Sequence, residues 1–497
     1  MSETAAIPGL KWRMIASFSG NIGPAVLSVA LVPVYIHFLG IEAYGLIGFF
    51  LSLVPLLTLI DLGMSAALNR EIARLSADAG DAGATRNLAR TLETFYWCAP
   101  ALVAALMAVL AEPIASRWLQ LRNVTEQEAV NALRLMGLAF AARLPSVLYF
   151  GALIGLERIV LLNVLRLVLE LVKAIGSVLT LWLIAPTLQV FFIWQIVAGL
   201  LMSVVLAVST WQCMPAGPRA RFDFGQLRRI ARFAAGVSGV AVTAALVSQA
   251  DKLVLSRLLT LEGLGYYTVA WTVASGLRQL TVPLTSVFLP RMSHAVAAND
   301  EGQLGRLYEQ LGRLVSIIVV PAGLVIAMFS HPVLEIWTGN PSVASGANVI
   351  LSLLVIGAIF AALAGVPYIA QLAVGWTAPS LLTNIGATIV VVPLTYTLAS
   401  RCGAIGAAFG WAALNLVMLV VLVHALHRRV LRGSLAQRYT RNVMLPLFTA
   451  SGIVIMLRVS SELVPINGTL FELACMLMTY AVAVGAAMLS AGIRVAR

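Results

Sequence analysis

The chain has 497 residues, of which 60% are hydrophobic and only 11% charged, with a formal net charge of +12 and a mean hydropathy of +0.94. An ordinary soluble domain carries roughly a quarter charged residues, so this composition excludes a water-soluble globular protein and indicates a polytopic membrane protein. The positive balance does not point to nucleic acid, because the basic residues fall in short connectors between apolar stretches, where they set orientation in a bilayer.

Apolar windows of about twenty residues predict an all-α protein of about fourteen transmembrane helices. In chain order they run from Met14 to His37, Tyr44 to Leu68, Thr91 to Ala111, Ala132 to Leu156, Ile159 to Ile184, Leu188 to Thr210 and Ala231 to Ser256. The second half continues with Gly265 to Leu289, Leu314 to Leu334, Val349 to Val374, Ser380 to Leu398, Ala404 to His424, Asn442 to Leu457 and Thr469 to Ala491. The first window follows Lys11 and Arg13 and exceeds the apolar core of a cleaved signal peptide, so it reads as a retained helix. Cys98, Cys213, Cys402 and Cys475 are scattered, with neither a disulfide framework nor a metal spacing. His424 and His427 lie where a helix leaves the membrane without further ligands, and no metal or cofactor is expected. Trp12, Trp97, Trp118, Trp211 and Trp337 lie near window ends, as interface anchors do.

Alternate connectors differ in charge. One set holds Arg70, Arg74, Arg86, Arg90, Arg219, Arg221, Arg228, Arg229, Arg291, Arg306, Arg428, Arg429, Arg432, Arg438 and Arg441, the other Arg117, Arg122, Arg257, Arg401 and Arg458. This excess predicts that both termini are cytoplasmic and that the number of spans is even. The segment from Arg219 to Arg232 also suits anionic lipid headgroups, although the orientation rule alone accounts for its charge.

Phe38-Leu39-Gly40-Ile41-Glu42-Ala43-Tyr44-Gly45 is similar to Leu258-Leu259-Thr260-Leu261-Glu262-Gly263-Leu264-Gly265, with the two glutamates 262 − 42 = 220 positions apart. Each copy is followed by one span and a basic exit, so the repeat is parallel, with its axis along the membrane normal. Two pseudo-symmetric six-helix lobes follow, residues 1–215 and 216–427, with two additional helices in 428–497.

Several charges fall inside the spans, where each needs a reason. Asn163, Arg166, Glu170, Lys173 and Ser177 are spaced by three, four, three and four residues and form one polar stripe on the fifth helix. Such a stripe must face the bundle interior or a water-filled cavity, as a cavity lining or as an interhelical ionic lock. Within it, Arg166 and Glu170 can pair at i, i+4, leaving Lys173 less neutralised. Arg143 and Arg278 lie near the middle of the fourth and eighth helices, in different lobes, too deep to snorkel easily. Facing a common cleft, they would grip a diphosphate with two guanidinium forks, with Lys173 or Lys252 adding point charge; helix breaks near Pro145 or Pro283 offer carbonyls as the alternative partners. Arg134, Arg143, Arg166, Lys173, Lys252 and Arg278 oppose Asp61, Glu170 and Asp251, an excess that fits an anionic passenger better than a cationic one. Asp61 and Asp251, nearer the membrane faces, read equally as ion-coupling sites or as structural anchors. Gly151-x-x-x-Gly155 and Gly406-x-x-x-Gly410 suit close helix packing within a monomer.

The Leu39-Gly40-Ile41-Glu42-Ala43-Tyr44-Gly45 turn, Asp61-Leu62-Gly63-Met64, Gln249-Ala250-Asp251-Lys252, Leu264-Gly265-Tyr266-Tyr267 and Leu289-Pro290-Arg291 together resemble the Wzx-type polysaccharide-transport flippases. These share a superfamily with multidrug and toxin extrusion transporters and the lipid II flippase. The resemblance covers both lobes; Lys252 departs from it, since Arg is expected there at least as often. It implies a transporter of the bacterial inner membrane, not an enzyme, that moves an undecaprenyl-pyrophosphate-linked glycan of O-antigen, capsule or exopolysaccharide type by alternating access. A polysaccharide polymerase and a chain-length regulator would then be partners. No phosphate-cradling Gly-x-x-x-x-Gly-Lys-Ser/Thr loop occurs, so transport would draw on an ion gradient or on downstream consumption of the substrate. A cation-coupled drug exporter of the same fold predicts an acidic cavity instead. A glycan polymerase or ligase predicts a large catalytic loop outside the membrane, and the connectors Ala111 to Asn131 and His331 to Asn348 are short.

Overall fold

A computed structural model of the protein describes residues 10–56, 60–77, 82–223, 225, 249, 251–376, 378–429, 445–463 and 469–490. These residues form helices and no β-strand. They divide into two compact units, Met1–Leu261 and Glu262–Arg497. Most of the expected helix from Ala231 to Ser256, with Arg228 and Arg229 before it, lies outside the described residues, as do Arg432, Arg438 and Arg441.

The first unit contains α1 (Leu10–Leu53), a 3-10 turn (Val54–Leu56), α2 (Met64–Ala77), α3 (Ala82–Arg117), α4 (Glu126–Gly155), α5 (Ile159–Leu183) and α6 (Leu188–Cys213), and residues 251–258 are again helical. The second contains α7 (Leu261–Gln279), whose first residue closes the first unit, α8 (Val282–Ala297), α9 (Glu301–Met328), α10 (Ser330–Thr338), α11 (Pro341–Ala373), α12 (Ala378–Arg429), α13 (Leu445–Leu463) and α14 (Thr469–Ser490). Among the described residues seven helices are long and apolar enough to cross a membrane. The 25-residue α5 is long enough as well, but carries Arg166, Glu170 and Lys173.

Local chemistry starts and stops these helices. Thr125 and Glu128 form a reciprocal capping box at the start of α4, Thr187 accepts the Val190 N–H before α6, and Asp300 accepts the Gln303 N–H before α9. Gly339, at φ 61°, ends α10, and Asn340 with Pro341 begins α11. Gly40 at φ 81° and Gly403 at φ 59° turn the chain inside α1 and α12 where successive windows meet, so α12 holds two successive spans and α1 one span and the start of the next.

Three expected spans are broken. The helix predicted from Tyr44 to Leu68 stops at Leu53, and the chain turns at Leu62 and Gly63, at φ 48° and 68°, before α2. The span from Gly265 to Leu289 breaks between Gln279 and Val282, and the span from Leu314 to Leu334 breaks at Phe329. Hydropathy windows register composition and not backbone angles, so they run through all three. The first two breaks are related. Gly63 lies 63 − 42 = 21 residues after Glu42, and Thr281 lies 281 − 262 = 19 after Glu262, so the repeat reproduces a helix break as well as a turn.

Asp61 secures the first break. Its carboxylate accepts the Ser65 N–H at 3.2 Å and the Ser65 hydroxyl at 2.9 Å, and also the Tyr96 hydroxyl from α3. The buried Asp61 thus serves as an N-terminal cap for α2 and as a link to α3.

In the first unit α4 is the central helix and packs on α2, α3, α5 and α6. Gly151 and Gly155 let α2 approach closely, since a Cβ on Gly155 would meet the Asn69 carbonyl oxygen at 2.7 Å and one on Gly151 would collide with the Ser65 carbonyl. Phe50 of α1 stacks on Phe140 of α4 at 4.7 Å and meets Phe192 of α6 edge-on at 5.3 Å. In the second unit α11 packs on α8, α9, α10 and α12, while α13 and α14 pair and lie on α9, with Ile317 and Ala487 in a shared core. The second glycine pair also packs tightly within its own unit, where a Cβ on Gly410 would meet the Leu398 side chain at 3.0 Å.

Two outcomes are expected. Gly155→Leu drives a side chain into the α2 backbone and costs about 3 kcal/mol, read as a lower thermal unfolding midpoint of the detergent-solubilised protein. Asp61→Ala, which leaves the Ser65 and Tyr96 donors unmatched, costs at least about 1 kcal/mol in the same measurement, and Asp61→Asn, which keeps one acceptor oxygen, loses less.

Candidate functional site

The polar stripe on α5 is built as its spacing predicts: Asn163 and Ser177 are buried, and Arg166, Glu170 and Lys173 are partly buried between them. Its neighbours hold it from two sides. Trp194 of α6 donates its indole N–H to the Lys173 carbonyl at 2.9 Å, and Gln195 donates to the Ser177 hydroxyl at 3.4 Å. From α4, Arg143 reaches Glu170 at 3.4 Å.

Arg143 lies in a stretch of α4 with extra side-chain support. Pro145 has no N–H to offer the Ala141 carbonyl, and beside it Ser146 donates to the Arg143 carbonyl and Ser203 of α6 to the Ala142 carbonyl, both at 2.7 Å. Gly199 lets α6 come close at the same level, where a Cβ on it would meet the Arg143 backbone nitrogen at 3.4 Å.

Glu170 is therefore shared. It pairs with Lys173 on its own helix and with Arg143 on α4, and the Arg166 charge acts on both Glu170 and Lys173. Spacing alone favoured an Arg166–Glu170 pair with Lys173 less neutralised; Lys173 is instead paired directly with Glu170, because a shared face also allows i, i+3 contact. Three cations surround one carboxylate. The Glu170 side chain is 12% exposed, against 25% for Lys173 and 34% for Arg143, so the acid sits inside and the cations keep the open side.

The other candidates make contacts of their own. Asp61 caps α2, and Asp251 is buried. Lys252 donates to the Gln249 side chain at 3.0 Å on its own helix. Arg134 is exposed near the start of α4 and does not belong with the buried charges. Arg278, in the second unit, is exposed in the last turn of α7, where its carbonyl accepts the Thr281 N–H and hydroxyl at 3.1 and 2.8 Å.

Two polar networks escaped the sequence reading. At the arginine-rich end of the first unit, the buried Glu93 accepts from Arg90 at 2.7 Å, from the Tyr149 hydroxyl at 2.7 Å and from the Trp211 indole at 2.9 Å, while Trp97 donates to Tyr149 at 2.9 Å. The Arg90-x-x-Glu93 spacing was the available signal. At the arginine-poor end, Glu42 accepts the backbone N–H groups of Arg122 and Asn123 at 2.8 Å each. Trp118 donates to Ser256 at 2.9 Å and lies beneath Arg257 at 5.2 Å, and Gln120 pairs along residues 257–261 through its side chain and its backbone. Nothing in the residue types announces that clasp.

The protein is similar over 414 residues, 82% of this chain and 95% of the relative, to a protein of Shigella flexneri assigned as an O-antigen transporter, with 20% identity. Among solved structures, the lipid II flippase MurJ in an inward closed conformation matches with a TM-score of 0.72 at 13% identity, covering 95% of this chain and 97% of that one. An inward-facing multidrug resistance MATE family transporter of the MOP superfamily matches with a TM-score of 0.66 at 15% identity, covering 84% and 94%. Both likenesses establish the fold, an all-helical multi-pass membrane architecture. The family follows from the sequence: residues 36–341, which include Glu42, the Asp61 break, the whole α5 stripe and the Arg278 turn, match the model of the polysaccharide biosynthesis protein family, and the chain belongs to that family.

Proposed function

We propose that the protein is a flippase, not an enzyme, that carries an undecaprenyl-pyrophosphate-linked oligosaccharide across the bacterial inner membrane by alternating access, with both termini cytoplasmic. The carrying observation is the sign of the α4–α5 cluster: Arg143, Arg166 and Lys173 around the single carboxylate of Glu170. A diphosphate meets guanidinium forks bidentately and an ammonium as a point charge. In the absence of passenger, Glu170 serves as the resident counter-ion, which spares the three cations the cost of standing unpaired in an apolar surrounding. The diphosphate then takes over Arg143 and Lys173 from it.

In this reading residues 1–215 and 216–427 act as the two moving lobes, with 428–497 as appended helices, and Arg278 brings a guanidinium from the second lobe. Lys252 adds positive charge, and Glu170 and Asp251 are the candidates for ion coupling. The protein works as a monomer and delivers its glycan to a polymerase and a chain-length regulator. The shared fold with a multidrug transporter raises a second reading, a cation-coupled drug exporter. Its passenger would meet a cluster of its own sign.

The test is flipping in proteoliposomes, with undecaprenyl-pyrophosphate oligosaccharide compared with a cationic dye. The parent is expected to move the lipid-linked sugar and not the dye. Arg143→Ala and Lys173→Ala are each expected to slow it about tenfold or more, the worth of a charge-assisted hydrogen bond, and Arg278→Ala likewise, with unfolding midpoints retained. Dye export without sugar movement overturns the function; unchanged sugar flipping in all three variants overturns the site.

A further inference from the structure

We propose that the arginine-rich end of the first unit carries a binding site for the phosphate of an anionic phospholipid, formed by Arg219 and Arg221 beside the exposed ring of Phe222. After α6 ends at Cys213, residues 214–223 run without helix across the first turns of α3. They are fastened there. The Arg221 N–H donates to the Asn87 side chain at 2.7 Å, the Asp223 N–H to the Thr91 hydroxyl at 2.9 Å, and Arg86 donates to the Pro215 carbonyl at 3.1 Å while its guanidinium stacks 5.4 Å from the Trp211 ring.

This strap uses its backbone for attachment and leaves its cations outward. Arg219 and Arg221 are exposed. The acids nearby are engaged: Glu93 holds Arg90, Tyr149 and Trp211, and the Asp223 carboxylate accepts the Gly225 N–H at 2.8 Å. Among the described residues no carboxylate pairs with Arg219 or Arg221. Between them and Asp223 stands Phe222, 57% exposed.

Charge alone would satisfy the orientation rule and imply no site. The ring adds the second constraint. A phenyl group held beside two arginines at the end of a membrane helix costs least when it enters the headgroup layer, and there the guanidinium groups lie at the depth of lipid phosphates. Arginine forks match a phosphate diester, and an anionic leaflet supplies it in excess. This assignment is independent of which passenger the protein moves.

The experiment titrates the full-length protein in neutral detergent with fluorescent phosphatidylglycerol and, separately, phosphatidylcholine. The parent is expected to prefer phosphatidylglycerol. Each arginine near an anionic surface contributes about a fivefold factor, so the double variant Arg219→Gln, Arg221→Gln should weaken phosphatidylglycerol binding by about 25-fold. Phe222→Ser should weaken both lipids. The control Arg117→Gln, Arg401→Gln removes the same charge from the other connectors and should leave binding unchanged. Equal affinity for the two lipids in the parent overturns the proposal, as does equal weakening in the control. Displacement of phosphatidylglycerol by an equal concentration of inorganic pyrophosphate also overturns it, because the strap would then read the diphosphate of a passenger and not a lipid of the bilayer.

Discussion

A backbone amide or carbonyl that leaves its helix inside a hydrocarbon layer finds no water, and an unmatched polar group there costs several kcal/mol. The described structure meets this constraint with side chains at several irregular places. At the first break Asp61 takes the Ser65 N–H and the Tyr96 hydroxyl, and at the second Thr281 covers the Arg278 carbonyl. Near Phe329 the Ser352 hydroxyl of α11 serves the Ala327 carbonyl at 2.7 Å, and beside Pro145 Ser203 serves Ala142. Irregular backbone is thereby made compatible with an apolar surrounding, and it lies close to the charges. Arg143 stands two residues before Pro145 and Arg278 two before Leu280.

The same rule governs the ions. The Glu170 carboxylate is surrounded by Arg143, Arg166 and Lys173, and Glu93 by Arg90, Tyr149 and Trp211. The two arrangements differ in surplus. Glu93 has one cation and two neutral donors, a balanced knot that fastens α3, α4 and α6. Glu170 has more positive charge around it than it can neutralise, and its cations are the more exposed partners. Imbalance of that kind is what separates a cluster suited to an anionic visitor from one that only holds helices together.

Much of this was legible beforehand and some was not, for definable reasons. Composition and window length identified a helical membrane protein, and the glycines at 40 and 403 turn the chain where the windows end. The α5 stripe was readable because helical periodicity places five residues on one face whatever surrounds them. The identity of Glu170's second partner was not, since Arg143 comes from another helix 27 positions earlier and only packing at Gly199 and Pro145 sets its height. The breaks at Leu62–Gly63 and at Leu280–Thr281 were hidden by uniform hydropathy, although Asp61 and Gly63 carry the chemistry of a cap and a left-handed turn. The clasp of Trp118 and Gln120 on residues 256–261 joins segments about 140 positions apart through indole, amide and backbone groups, residue types that occur throughout the chain.

The broken second crossing has a consequence for how the chain tolerates change in length. Fourteen residues of α2 rise about 21 Å, short of a hydrocarbon layer of about 30 Å, so α2 completes a crossing only in series with the end of α1. One residue inserted at the break would turn α2 by about 100° and carry Ser65 and Asn69 away from Gly151 and Gly155. Connectors outside the membrane absorb insertions by bulging into water. The segment from Asp61 to Met64 has no such outlet, and its length is therefore as constrained as the identity of any residue in the charged cluster.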